Sequence, residues 1–239
     1  MLAMLGLAGC VSLSCRAQGT FQNLDFESAN LPTLPPGQSG GDVSVSDALP
    51  GWRVFFGSSN SPVNNVQHNG FNLGLINATV FGPNYDFAHL NLTIIEGRFM
   101  PFLQTGVSGL PPATPDVTIE QTGLVPVSAQ SLQFKVGLNS QIGVGRDTNF
   151  LVSLNGQTLS LVPLGATSTY ATYGVDVTSF AGQVSDLRFT SFSTVARPYN
   201  WVAVDSFQFL PMAVPEPSNW ALLALGSALL WRATRRRRK

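Results

Sequence analysis

The sequence predicts an all-β protein whose body is a jelly-roll-type β-sandwich. Between Thr20 and Leu210, short runs of alternating apolar and polar residues dominate, and no segment has a convincing helical period. The chain contains 16 prolines and 23 glycines, and many of them stand in the gaps between these runs. About ten to twelve runs at near-regular spacing indicate two packed sheets rather than a helical or α/β domain.

Three segments show the alternation most clearly. SLQFKVG places Leu132, Phe134 and Val136 on one face and the polar residues between them on the other. The same pattern occurs in DVTIEQTG, which begins at Asp116, and in DLRFTSF, which begins at Asp186. Each segment therefore predicts a strand that is buried on one side.

One hairpin can be predicted together with its register. In FLVSLNGQTLSLV, the Asn-Gly pair at 155–156 provides the positive φ angles that a type I′ turn requires. A two-residue turn at this point places Val152 opposite Leu159 and Phe150 opposite Leu161. The apolar faces of the two strands then coincide, so the turn and the burial pattern agree.

The first 17 residues are apolar, rich in small residues and free of acids, which is typical of a signal peptide cleaved after Ala17. A second interpretation is that Leu7 to Cys10 forms a lipoprotein box acylated on Cys10. Both cysteines of the chain lie in this segment. The predicted mature body therefore has no disulfide scaffold, thiol nucleophile or cysteine-ligated zinc site.

The charges are distributed unevenly along a chain that is neutral overall. Residues 18–213 contain 12 acidic and 6 basic side chains, whereas the last eight residues contain six basic side chains and no acidic one. A mildly acidic body argues against nucleic-acid binding, because such binding depends on neutralising phosphates.

Two acidic positions suggest a calcium site. Asp25 and Glu27 are two residues apart in NLDFESA, which places both on one face of a predicted first strand. In WVAVDSFQFL the apolar parity shifts by one residue, which predicts a bulge at Asp205 and Ser206. If the first and last strands are neighbours, Glu27 and Asp205 can share a structural Ca²⁺ with backbone carbonyls. The alternative is two solvated carboxylates.

Aromatic residues are the other binding candidates, and Trp52 and Tyr85 are the two predicted to contact a ligand such as a sugar ring. The alternative for each is a place in the core, where most aromatic side chains of a sandwich lie. The two histidines, His68 and His89, lack metal-ligand spacing. No nucleophile elbow is present, and no acid pair is marked for glycoside hydrolysis, so no catalytic residue and no enzyme activity are predicted.

The C-terminus has three ordered features. Pro215, Glu216 and Pro217 interrupt any helix, and Ser218 is a suitable N-cap for the segment that follows. That segment is apolar on all sides but only twelve residues long, roughly 18 Å against the ~30 Å of a hydrocarbon core. Its predicted membrane-contacting residues are Trp220, Leu222, Leu223, Leu225, Leu229, Leu230 and Trp231. The predicted basic stop, cytoplasmic by the positive-inside rule, consists of Arg235, Arg236, Arg237 and Arg238.

This arrangement resembles the PEP-CTERM sorting signal of Gram-negative bacteria. The resemblance implies that Pro215, Glu216 and Pro217 are the recognition motif of an exosortase, a membrane enzyme that processes such proteins. It also implies a host that makes exopolysaccharide, and a short helix that serves as a transient stop.

The body resembles galactose-binding-like domains, a fold that includes carbohydrate-binding modules. The similarity lies in LDFE, LPGW, the run from Tyr170 to Gly182 and the final VDSFQF. It implies that Glu27 and Asp205 hold Ca²⁺.

We therefore predict a signal peptide at 1–17, a sandwich domain at 18–211 and a sorting signal at 212–239. The expected product is an exported, non-catalytic protein of the cell surface or extracellular matrix. Its expected partners are an exosortase-like enzyme, the membrane and an exopolysaccharide, with no nucleic acid. An extracellular hydrolase acting on exopolysaccharide is the alternative.

Overall fold

The computed structural model describes residues 20–34, 40–70, 76–83, 85, 93–105, 116–137, 149–194 and 200–215. The predicted signal peptide, the membrane helix and its basic stop lie outside these residues. So do Glu216 and Pro217 of the sorting motif. Among the described residues, no helix has the length and apolar character needed to cross a bilayer.

The described chain folds into thirteen strands with very little helix. The strands are β1 (Gly41–Ser44), β2 (Arg53–Phe56), β3 (Asn65–His68), β4 (Asn77–Phe81), β5 (Met100–Thr105), β6 (Val117–Leu124), β7 (Ser131–Gly137), β8 (Phe150–Leu154), β9 (Gln157–Thr158), β10 (Val162–Ala166), β11 (Tyr170–Asp176), β12 (Val184–Ser191) and β13 (Asn200–Leu210). A short helix α1 (Val45–Ala48) follows β1, and a 3-10 turn (Thr178–Phe180) precedes β12.

The strands form two sheets. The larger sheet has the order β1-β3-β4-β5-β13-β7-β11-β10, and the smaller has the order β2-β6-β12-β8-β9. The strand pairs are antiparallel except β3 and β4, which are parallel. This arrangement confirms the predicted all-β sandwich body.

The main core fills the space between the sheets with aromatic side chains. The Phe134 ring of the larger sheet lies 5.9 Å from that of Phe189 in the smaller sheet and 5.3 Å from that of Phe207. Leu132 and Val136 are buried on the same side as Phe134, as the alternation predicts. Burial of each such side chain contributes about 1.5–3 kcal/mol before the entropy cost of ordering it.

A second apolar cluster lies on the outer face of the larger sheet. Phe81, Phe102 and Ala203 are buried there, and Tyr85 and Trp201 pack against them while half-buried. Part of this outer face is therefore covered rather than open to solvent.

The predicted hairpin has the predicted register. Ser153 pairs with Thr158 and Leu154 pairs with Gln157, and the Leu159 N–H donates to the Val152 carbonyl at 2.9 Å. The φ angles at 155 and 156 are +49° and +77°, as the type I′ turn requires. Because β9 stops at residue 158, the predicted pair of residues 150 and 161 is not part of the ladder.

Candidate functional site

A cleft opens on the outer face of the larger sheet beside β13. It has a volume of about 350 Å³. Its lining residues are Asp25, Glu27, Glu96, Gly97, Gln133, Phe134, Lys135, Thr172, Ser206, Phe207 and Gln208. Gln133, Lys135 and Thr172 form its floor because alternate residues of β7 and β11 point away from the core.

The bulge in β13 shapes one side of the cleft and was correctly predicted. The register between β13 and β7 shifts between Asp205 and Gln208, and Ser206 has a φ of +54°. This extra residue turns Ser206 and Gln208 towards the cleft, while Phe207 returns to the core.

Residues 93–99, here called the strap, form the opposite wall. The Glu96 N–H donates to Asp205 Oδ2 at 3.1 Å. The Arg98 and Phe99 N–H groups donate to Glu27 Oε1 at 2.9 and 3.0 Å. Two carboxylates that are distant in sequence therefore hold one backbone segment in place, which is how the structure brings Glu27 and Asp205 together.

Gly97 allows the strap to approach Glu27 so closely. Its φ is +67°, and a β-carbon at this position would overlap the Glu27 carboxylate. A side chain at residue 97 would therefore have to displace the carboxylate from the two N–H groups that it accepts.

The segment around Asp25 and Glu27 is not the strand that the sequence predicts. Residues 24–28 form turns, with positive φ angles at Asn23 and Phe26. Leu24 and Phe26 are nevertheless buried while Asp25 is exposed, so the apolar alternation is satisfied by turns instead. The Phe207 N–H donates to the Leu24 carbonyl at 2.9 Å, so the first and last segments are neighbours, as predicted.

Asp205 is the most strongly perturbed titratable group of the site. Its side chain is 0% exposed. Its pKa is raised to about 7, mainly by burial and to a small extent by the nearby charge of Glu27, while hydrogen bonds from Glu96 and Ser206 act in the opposite direction.

Glu96 links the strap to the floor of the cleft. Its carboxylate forms an ion pair with Lys135 and accepts the Ser206 hydroxyl at 2.6 Å. The Lys135 ammonium also lies 5.2 Å from the centre of the Tyr170 ring. The single cation in the cleft lining is therefore already paired with an acid.

The carboxylates suit a calcium ion only with additional ligands. Within the described ranges, no group of three histidine, cysteine or acidic side chains is placed to hold a metal. Glu27 Oε2 accepts no hydrogen bond from any described residue, and Asp205 Oδ1 lies 3.2 Å from the Ser206 hydroxyl, which also donates to Glu96. These two oxygens can bind a cation if backbone carbonyls and water complete the six to eight ligands that Ca²⁺ takes.

The two predicted aromatic contacts differ in their outcome. Trp52 was predicted to contact a ligand, but it is only 4% exposed and packs against Phe26 and Phe207. Its indole N–H donates to the Asn23 carbonyl at 3.0 Å, so both its ring and its polar atom serve the core. Tyr85 is half-buried on the outer face of the larger sheet, and its role in ligand contact stays a prediction.

Several cleft residues were not singled out from the sequence. The alternation in SLQFKVG placed Gln133 and Lys135 on the polar face of a strand but gave no sign of a cleft there. Nothing in the sequence near Glu96 and Gly97 indicates that the strap reaches Glu27, about 70 positions away. The only local feature is Gly97 directly after Glu96, and this pair alone does not indicate which residue the strap contacts.

The chain was compared with known proteins. No protein-family model matches it, and no curated protein matches it. Its fold is similar to that of a Stig cyclase, Fisc, from Fischerella sp. TAU, solved in complex with (3Z)-3-(1-methyl-2-pyrrolidinylidene)-3H-indole. The two are 18% identical over 80% of this chain and 94% of that chain, with a TM-score of 0.47.

Two further solved structures are more distant. One is the K1 cleaved adhesin domain of Lys-gingipain from Porphyromonas gingivalis W83, 11% identical over 74% of this chain and 100% of that chain, with a TM-score of 0.41. The other is a family 11 carbohydrate-binding module from Clostridium thermocellum, solved in complex with a β-1,3-1,4-mixed-linked tetrasaccharide. It is 7% identical over 74% of this chain and 98% of that chain, with a TM-score of 0.36. These similarities are too distant to assign a ligand or a reaction to this chain.

Proposed function

We propose that the chain is an exported, non-catalytic surface or matrix protein whose sandwich binds a polysaccharide in the cleft. The observation that carries this proposal is the cleft lining, which combines hydrogen-bond donors and acceptors on a rigid sheet face. Gln133 and Gln208 supply amide groups, and Thr172 and Ser206 supply hydroxyls. Sugar hydroxyls both donate and accept hydrogen bonds, so a mixed lining of this kind suits them.

The acids around the cleft favour the alternative function, a hydrolase acting on exopolysaccharide. Asp25, Glu27 and Glu96 line the cleft and Asp205 lies behind Ser206. Two carboxyl groups, one of them protonated near neutral pH, are what glycoside hydrolysis requires.

The contacts of these acids favour binding over catalysis. Asp205 has the raised pKa, but it is fully buried and does not line the cleft. Glu27 Oε1 is occupied by two strap N–H groups, and Glu96 is paired with Lys135. Most of these acids thus have structural partners, and Asp25 and Glu96 are the exposed pair that a hydrolase would have to use.

A structural calcium ion and the sorting route belong to the same proposal. Ca²⁺ held by Glu27, Asp205 and backbone carbonyls would neutralise the buried charge and fix the strap, and it has no catalytic role here. The segment from Pro215 to Lys239 would direct the exported protein to an exosortase-like enzyme at the membrane. The C-terminus would be cytoplasmic before processing, and the sandwich would afterwards remain at the cell surface or in the matrix.

Binding of the purified full-length protein to a glycan array, in calcium and in chelator, tests the proposal. We expect Gln208→Ala and Thr172→Val to weaken binding to the best glycan by about tenfold, because each removes a cleft hydrogen bond worth ~1 kcal/mol or more. Thr158→Ala, an exposed position in the smaller sheet, is the matched control and should bind normally. Bound Ca²⁺ predicts a lower melting temperature in chelator.

Two results would contradict the binding role. One is equal glycan binding by the cleft variants and the Thr158→Ala control. The other is release of reducing ends from the bound polysaccharide, lost in Asp25→Asn or Glu96→Gln, which would establish the hydrolase instead.

A further inference from the structure

A charged cluster on the opposite side of the molecule has no part in the cleft. On the outer face of the smaller sheet, Arg53, Glu120 and Arg188 form one cross-strand row over β2, β6 and β12. Arg53 is paired with one carboxylate oxygen of Glu120, and Arg188 is paired with the other. We call this row the arginine pair face.

The shared carboxylate holds both guanidinium groups in fixed positions. The Glu120 side chain is 3% exposed, whereas those of Arg53 and Arg188 are 51% and 48% exposed. Only the glutamate is buried, and a buried carboxylate without an ionic partner is costly, so Glu120 favours contact with both arginines. Their orientation therefore exists before any ligand arrives.

Both guanidinium groups keep unused donors. Arg53 uses only Nη2, on Glu120 and on the Thr122 hydroxyl at 3.3 Å. Arg188 Nε forms an ion pair with Glu120 Oε2 without a hydrogen bond of good geometry. Among the described residues, nothing accepts from Nε and Nη1 of Arg53 or from the two Nη groups of Arg188. In Arg188 the Nη1 and Nη2 groups share one guanidinium edge, which can bind a carboxylate in a two-point contact, whereas the Nε and Nη1 groups of Arg53 can add single hydrogen bonds.

The neighbouring residues fix the side on which an anion would lie. Asp186 accepts the Thr122 hydroxyl at 2.5 Å, so its negative charge occupies the Thr122 side of the row. On the other side, Thr118 and Thr190 share a hydrogen bond of 2.8 Å. Only one of those two hydroxyls can donate within the pair, so the other can donate to a ligand.

We infer that the arginine pair face binds carboxylate groups of an acidic, uronate-type polysaccharide. The row is flanked by short threonine side chains and by the half-buried Phe55 ring, whose centre lies 5.8 Å from the Arg53 guanidinium carbon. Arg53, Glu120, Arg188 and Asp186 together carry no net charge, so recognition depends on directed N–H donors rather than on a general positive potential. This site is separate from the proposed glycan cleft.

The test measures binding of the full-length protein to polygalacturonate and to its fully methyl-esterified, uncharged form. The triple variant Arg53→Gln, Glu120→Gln, Arg188→Gln removes the cluster without leaving a buried charge unpaired. It changes the net charge by −1, as does the matched control Gln157→Glu, an exposed position of β9 outside both proposed sites. We expect the triple variant to bind polygalacturonate at least tenfold more weakly than the wild type, and the control to bind it within twofold of the wild type. The methyl ester, which has no free carboxylate, should bind none of these proteins.

A second, more conservative variant tests the inference even if the triple variant does not fold. Arg188→Lys keeps the charge but replaces the guanidinium fork with a point charge, and we expect a loss of at least threefold. Equal losses in the triple variant and Gln157→Glu, or unchanged binding in Arg188→Lys, would overturn the inference. Tighter binding of duplex DNA than of polygalacturonate through the same arginines would overturn the ligand class. The triple variant should keep wild-type binding of the best uncharged glycan in the cleft, which separates this site from the cleft.

Discussion

Burial of the Asp205 carboxyl group makes the stability of the body dependent on pH. The folded-state pKa of about 7 lies above the value of 3.8 for an unperturbed aspartate, so the folded protein binds the proton more tightly. The stabilisation from protonated Asp205 is complete below pH 3.8 and is lost as the pH rises through 7. The full difference amounts to roughly 4 kcal/mol at most.

Asp205→Asn should remove this dependence. We expect the variant, measured in chelator, to melt above the wild type at pH 8 and close to it at pH 4, because asparagine cannot ionise and still accepts the Glu96 N–H. Asp176→Asn is the control, since hydrogen bonds from Thr178 lower the pKa of Asp176 and the variant should lose stability at pH 8. Thermal melting at both pH values checks the prediction, which fails if Asp205→Asn is destabilised equally at both.

At the scale of single residues, the sequence identified Glu27 and Asp205 but gave Trp52 the wrong role. Glu27 stands out as one of two acids on the same face of NLDFESA, and Asp205 stands out because the apolar alternation shifts by one residue beside it. Trp52 follows a Pro-Gly turn, which suggests exposure. Its indole N–H nevertheless donates to the Asn23 carbonyl, and its ring packs in the core. That partner lies 29 positions away, and local sequence does not reveal it.

Among the structural elements, the strap should be sensitive to a single added methyl group. Gly97→Ala and Gly156→Ala both place a side chain at a positive φ, which costs about 1 kcal/mol. At Gly156 a β-carbon meets nothing within 4 Å, whereas at Gly97 it overlaps the Glu27 carboxylate. We expect Gly97→Ala to be less stable than Gly156→Ala by about 1–3 kcal/mol in urea unfolding.

A double-mutant cycle with Glu27→Gln isolates the cause. If the methyl group acts by displacing the carboxylate, then Gly97→Ala should cost less when Glu27 is already glutamine. Additive effects of the two substitutions would show that the strap is held by other contacts.

Sequence patterns predict the elements that are determined by nearby residues or by burial of one face of a strand. The β8–β9 register follows from a turn two residues long, and the alternation in β6, β7 and β12 follows from one-sided burial. The bulge at Ser206 follows from the parity change within a single strand. The cleft could not be predicted, because it depends on the strap crossing the sheet, and that crossing is fixed by hydrogen bonds between residues far apart in sequence.

Across the whole molecule, both ends of the described chain leave from the same end of the sandwich. The Thr20 N–H donates to the Leu124 carbonyl, and the Gln130 N–H donates to the Leu210 carbonyl. Leu124 ends β6 and Ser131 begins β7, so both contacts lie beside one connecting turn. A C-terminal tether would therefore hold this end towards the membrane and leave the two proposed glycan-binding faces accessible on the sides.

The boundary of the sandwich is relevant to any test of that tether. The sequence predicts a sorting segment that begins at residue 212 and so includes Val214. Its side chain packs onto Gly174, where an added β-carbon would lie 3.2 Å from it and 3.1 Å from Leu164. A truncation that spares this contact must therefore keep residues 211–215.

Deleting residues 216–239 should leave the sandwich folded but release it from the cell envelope into the medium. The deleted segment is apolar on all sides and ends in arginines that are costly to bury, so the core has no need of it. Cell fractionation and the melting temperature of the released protein check both parts. An unfolded product would show that the segment belongs to the core, and a folded but cell-bound product would indicate that the anchor is Cys10.

Changing Pro215, Glu216 and Pro217 to alanine keeps the apolar stretch and its arginines, so membrane insertion should survive. Processing by an enzyme that recognises the motif should stop, and uncut precursor should accumulate in the membrane.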